Sequence, residues 1–251
     1  MKKDLGIALG GGGTRGFAHL GILKRLEEEG IFPDMIAGTS AGSIVGSFLA
    51  SGKKSEEIYN LMKERKLTDF AKLTMPVSGL MSLEYLKEQL EELLPGKTFK
   101  DLKLPFYATV SNLLTGKVEY LTEGNVARAV QASSSIPVVF SPVEIDNQLY
   151  VDGGLLDNVP VQPLIGQCEK IIAVDIMPIE KVSKIKGIQE IAVRTFQMSV
   201  GGLTEKRKEA CSILIEVEDL AGFNILDSGK SEEIYDIGYR VGRNLDLSQL
   251  L

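Results

Sequence analysis

With 251 residues, 44% of them hydrophobic and 25% charged, the chain has the usage of an ordinary globular protein, which excludes disorder, collagen and coiled coil. Its 28 basic and 34 acidic residues give a net charge of −6, which repels a phosphate backbone, so no nucleic acid is expected as a partner. Cys168 and Cys211 lie 43 residues apart without C-x-x-C spacing; they form neither a zinc signature nor a disulfide framework and fit a reducing, cytoplasmic setting. The length predicts one domain over 1–251.

In chain order, Met1-Lys2-Lys3 before an apolar run mimics a signal peptide, but Asp4 and the glycines at 10–13 interrupt it, and Leu5 to Leu9 reads as a buried first strand. A glycine loop leads into a helix from about Thr14 to Glu29, with Phe17, Leu20, Leu23 and Leu26 at helical spacing and Gly30 as its stop. Met35 to Gly38 is a second strand and Ala41 to Ala50 a small-residue helix suited to close packing on a sheet. From Ser55 the helices turn charged and amphipathic, one opening at Ser55 and another running from Ser82 to Leu94; residues 55–103 are a candidate helical cap, whose apolar loop at 67–81 reads equally as a cover over a greasy substrate site or as a plain surface excursion.

Leu104 to Asn112 and Val118 to Leu121 read as strands around a Thr115-Gly116 turn, followed by a helix from Asn125 to about Ser134 that Pro137 ends. Asp146-Asn147 closes a hairpin between Val143 to Ile145 and Gln148 to Val151, which delivers the chain to Asp152-Gly153-Gly154. A buried strand at Lys170 to Val174, a long helix from about Ile185 to Ala210, a strand at Ile213 to Val217 and a last helix from Ser231 to about Asn244 follow. The alternation predicts an α/β fold, and residues 177–251 carry the weakest pattern. No stretch of about 18 uncharged apolar residues occurs, so no membrane-spanning helix is expected, and no basic amphipathic helix stands out, so any membrane contact is expected to be transient and peripheral.

Three motifs carry chemistry. Gly38-Thr39-Ser40-Ala41-Gly42 matches G-x-S-x-G between a predicted strand and a predicted helix, the context in which flanking glycines permit a sharp turn that projects a serine hydroxyl. Its bland alternative is a glycine-rich turn with Ser40 as an N-cap. The sole histidine, His19, falls inside the first helix on its apolar side and reads as a packed structural residue, so either Ser40 is inert or a carboxylate is its base. Asp152 is the candidate: it closes an apolar strand, and two glycines after it let backbone and substrate approach. Gly10 to Gly16, between a strand and a helix, leaves unpaired N–H groups at a helix N-terminus and binds negative charge. It fits G-x-G-x-x-G, but the acid a dinucleotide site needs on the second strand is absent, and Phe17 stands where a Walker lysine belongs. An oxyanion hole is the reading that survives, with Arg15 fixing the loop or meeting a substrate phosphate.

GGGGTRG, GTSAG and DGG in that order, with FAHLGIL, SSSIPVVF and VDGGLLDNVPV around them, resemble the patatin-like phospholipase family, in its short bacterial branch, over residues 5–176. The resemblance implies a three-layer α/β/α sandwich around a mainly parallel sheet. It also implies a Ser40–Asp152 dyad, an oxyanion hole from the N–H groups of Gly11, Gly12 and Gly13 with Arg15 at the loop's end, and no metal or organic cofactor. The implied activity is serine acyl hydrolysis of lipid or simple acyl esters through an acyl-enzyme. Transfer of the acyl group to another acceptor, or binding of lipid or protein without catalysis, are the alternatives on the same fold.

Overall fold

The computed structural model describes residues 2–67, 81–94, 98–179, 181–182, 184–200, 208–226 and 228–250. One eight-stranded sheet organises them, in the order β5-β6-β3-β2-β1-β7-β8, with β4 also paired to β3. The strands are β1 (Lys3–Leu9), β2 (Met35–Thr39), β3 (Phe106–Asn112), β4 (Lys117–Leu121), β5 (Val143–Ile145), β6 (Gln148–Asp152), β7 (Cys168–Asp175) and β8 (Ile213–Glu216). The run from β3 through β2, β1 and β7 to β8 is parallel; β4, β5 and β6 add antiparallel pairs at the β3 side.

Alternation along the central strands separates two apolar layers. Ile7, Leu9, Ile36, Ile172 and Val174 face the larger core. That core is closed by α1 (Phe17–Glu28), α2 (Ala41–Ala50), α3 (Ser55–Glu64), α4 (Glu84–Leu93), α5 (Val126–Ser133), α6 (Gly187–Ser199) and α7 (Ser231–Arg243). Ala8, Ala37, Ile171 and Ala173 face a smaller core, covered by Val159, Val161 and Leu164, the last in a short 3-10 turn. The three layers are therefore present with unequal outer ones, the smaller residues lying under the thinner cover.

Most elements stand where the sequence puts them. The hairpin at Asp146-Asn147 has both residues at positive φ, 49° and 60°, as a two-residue turn compatible with strand twist requires. One expectation changes. The helix foreseen from about Ile185 to Ala210 is not continuous: α6 ends at Ser199, where Val200 leaves helical geometry, and Lys208 and Glu209 are helical again beyond residues that lie outside those described. In the stretch read as a candidate cap, Ile58 and Met62 of α3 and Leu86 and Leu90 of α4 are fully or almost fully buried in the main core. Of the greasy loop expected at 67–81, residues 68–80 lie outside those described.

Candidate active site

The register around β3 brings the two candidate catalytic residues together. β2 pairs with β3 over Phe106 to Thr109, and β4 pairs over Ala108 to Asn112, so these two strands occupy opposite edges of β3. β6 pairs over Val110 to Asn112, where β4 already holds one edge, and must share the edge used by β2. β2 arrives parallel and stops with Thr39 opposite Thr109; β6 arrives antiparallel and stops with Asp152 opposite Val110. Ser40 and Asp152 therefore meet at adjoining positions along one strand edge.

The local backbone sharpens this placement. Ser40 has φ 52° and ψ −121°, a strained conformation for a non-glycine residue, and it turns the chain from β2 into α2. The turn closes because α2 starts almost in contact with β1: a Cβ on Gly42 would collide with the Leu9 carbonyl. The Ser40 N–H donates to Ser133 Oγ at 2.9 Å, and the Asp152 N–H donates to the Ser135 carbonyl at 2.8 Å. The end of α5 thus holds both residues. Ser133 is a site residue that sequence reasoning missed; the SSSIP block was its only trace.

Asp152 is fully buried. Its Oδ1 accepts the Gly154 N–H at 2.8 Å. Burial pushes the Asp152 pKa up to about 7, while the Gly154 N–H and the Ser40 hydroxyl pull in the opposite direction. Among the described residues no donor meets hydrogen-bond geometry at Asp152 Oδ2, although the Ser40 side chain is near enough to act on the carboxyl.

The glycine loop lies against Ser40: a Cβ placed on Gly11 would sit 3.1 Å from Ser40 Cβ. Its N–H groups are not equivalent. Gly11 N–H donates to the Asn158 carbonyl at 3.2 Å, and Asn158 Nδ2 donates back to the Gly11 carbonyl at 3.3 Å. Of the three glycines read as donors, Gly11 is engaged with Asn158, whereas Gly12 and Gly13 retain N–H groups without a hydrogen-bond partner among the described residues. Gly13 adopts φ +57° with its Cα against the Ile225 carbonyl, which leaves no space for a side chain. His19, with no exposed surface, has its Nε2 2.8 Å from the Gly10 carbonyl. Burial lowers its pKa to about 4, so the ring is neutral and Nε2–H donates to that carbonyl, holding the base of the loop.

Of the two roles open to Arg15, its contacts match fixing the loop. The residue is 3% exposed, and its guanidinium donates to the backbone carbonyls of Phe223 (3.0 Å), Ala221 (3.1 Å) and Pro178 (3.3 Å). It ties the loop to two C-terminal segments. Behind it lies a cavity of about 430 Å³, lined by Arg15, Val193, Arg194, Phe223 and Ile225 among others; neither Ser40 nor Asp152 lines it, so the cavity and the chemistry occupy different places. Among the described residues no cluster of three His, Cys, Asp or Glu side chains is placed to hold a metal ion, and no helix is long and apolar enough to cross a membrane.

Comparison with known proteins bears on the family and the fold. A family model described as patatin-like phospholipase matches residues 7–165. The lysophospholipase NTE1 of Candida glabrata is 30% identical over 276 aligned residues, covering 96% of this chain and 16% of the fungal protein. An uncharacterized NTE family protein of Mycobacterium tuberculosis is 32% identical over 162 residues, covering 64% of this chain and 45% of its own. The match spans 16% of the fungal protein's length and 45% of the mycobacterial one's, under half in both. In fold, VipD from Legionella pneumophila superposes with a TM-score of 0.59 at 15% identity, over 100% of this chain and 67% of that one.

Proposed function

Because the chain belongs to the patatin-like phospholipase family, we propose that it is a serine hydrolase of lipid acyl esters, with Ser40 as nucleophile and Asp152 as base. The observation that carries the proposal is the meeting of β2 and β6 on one edge of β3, which sets a strained serine beside a buried carboxyl with a pKa near 7. Asp152 accepts the hydroxyl proton as Ser40 Oγ attacks the ester carbonyl. The oxyanion that forms accepts hydrogen bonds from the Gly12 and Gly13 N–H groups. Collapse expels the alcohol, which leaves with the proton held by Asp152, and an acyl-serine remains. Water then gives its proton to Asp152 and attacks the acyl carbon; the fatty acid departs and Ser40 recovers its proton. The fungal relatives named lysophospholipases make lysophospholipids the first substrates to assay.

The test is covalent labelling with a fluorophosphonate, read by intact mass. One adduct on the native protein, none on Ser40→Ala and a labelling rate at least about 100-fold slower on Asp152→Asn is the expected result. Equal labelling of native protein and Ser40→Ala would overturn the assignment of the nucleophile.

A further inference from the structure

The described residues between Ile179 and Ser199 present apolar side chains to solvent on a scale found nowhere else among those described. In α6, Ile188, Ile191 and Met198 are 80%, 52% and 65% exposed. At 100° per residue, positions 188, 191, 195 and 198 fall within an arc of roughly 80°, so they form one stripe. The opposite side of the helix is apolar too: Phe196 is buried in the main core, and Ala192 and Val193 pack against it. A helix that is apolar on two sides is normally covered on both, and here one is bare. The preceding segment continues the pattern, with Ile179, Val182 and Ile185 about half exposed.

Charge identifies what covers this face. Lys181, Lys184 and Lys186 are interleaved with those apolar residues and are themselves exposed, in a chain of net charge −6. Apolar side chains spaced by lysines match the boundary of an anionic bilayer, where the hydrocarbon enters the acyl region and the ammonium groups stay among the phosphates. The face is also continuous with the candidate site: Phe196, on the inner side of α6, packs on Gly154, whose N–H holds Asp152, and Leu156 of the same turn is 47% exposed. The basic amphipathic surface that did not stand out in the sequence is thus split between a loop and a helix, and only the fold assembles it.

We infer that the face carrying Ile179, Val182, Ile185, Ile188, Ile191 and Met198 is the surface by which the protein docks on anionic phospholipid membranes, with Ile188, Ile191 and Met198 inserted and Lys181, Lys184 and Lys186 on the headgroups. The inference rests on the lipid-hydrolase reading for its biological sense, but its test does not depend on turnover. Co-sedimentation of the full chain with vesicles of phosphatidylcholine, with and without 30 mol% phosphatidylglycerol, should show binding to the anionic vesicles that weakens with salt. Ile188→Asp/Met198→Asp and, separately, Lys181→Glu/Lys184→Glu/Lys186→Glu should each lower the partition coefficient about tenfold or more. Ser40→Ala should bind like the native protein, and hydrolysis of a soluble short-chain ester should stay within about twofold in the surface variants, which shows that they are folded. Anionic-vesicle binding unchanged in both surface variants would overturn the inference, as would a dimer in solution that Ile188→Asp/Met198→Asp dissolves. Loss of ester turnover in the native protein alongside intact, variant-sensitive binding would instead remove the hydrolase reading and leave the docking surface standing.

Discussion

The neighbourhood of Ser40 and the outer face of α6 are built on opposite terms. Around Ser40 the polar groups are buried and linked by hydrogen bonds: Ser40 to Ser133, Asp152 to Ser135 and Gly154, Gly11 to Asn158, Gly10 to His19. On α6 the apolar side chains that folding ordinarily hides remain in the open. The first region fixes atoms to fractions of an ångström through backbone register, which only dense packing provides. The second needs no fixed partner, because a fluid interface adapts to it. Chemistry and approach to the substrate therefore reside in separate sets of residues and are separable by mutation.

The sharpest way to break the ordered side of this contrast is Gly42→Ala. In an ordinary helix the change is favourable by about 1 kcal/mol. Here the new Cβ meets the Leu9 carbonyl, so a loss of about 3 kcal/mol or more, or failure to fold, is expected in denaturant titration. Acidity acts next. With the Asp152 pKa near 7, kcat/KM for a soluble ester should fall about tenfold per pH unit below that value and level off above it. Stability moves the other way: the folded state holds a proton on Asp152 that the unfolded chain releases near pH 4, so this stabilising contribution is lost as pH rises towards 7. Asp152→Asn removes the effect, and its stability relative to the native protein should improve between pH 4 and 7 and then stay constant. A smaller effect separates neighbouring serines. Ser133→Ala strands the buried Ser40 N–H and should cost about 1–3 kcal/mol while slowing acylation roughly tenfold, whereas Ser134→Ala, whose hydroxyl has no hydrogen-bond partner, should be near neutral. The smallest expected effect is that of Ile188→Asp/Met198→Asp on a soluble ester, a change within about twofold.

What could be read from the sequence was whatever a short window contains. The strand, turn and helix around Ser40, the hairpin before Asp152 and the exclusion of His19 as a base all follow from local spacing, and the folded chain has them. The contacts that decide roles are long-range and left no local mark. Arg15 reaches carbonyls about 160 and 210 residues away, Gly11 is engaged by Asn158 and Ser40 by Ser133, and none of these hydrogen bonds has a periodicity to detect. The apolar stripe of α6 was hidden for a related reason. Isoleucines at 188 and 191 look like core in any window, and only the packed structure shows which side of a helix remains uncovered.

The shared edge of β3 also bears on how the protein comes to life as it folds. The two halves of the site are registered by pairings of residues 70 and 42 positions apart, Thr39 with Thr109 and Val110 with Asp152, and neither exists until the chain has closed a long loop. A refolding chain can recover helices early and yet be unable to react with an electrophile. Reactivity of Ser40 is therefore a clock for completion of the sheet, and the lag between recovered helicity and recovered labelling measures how late β2 and β6 meet.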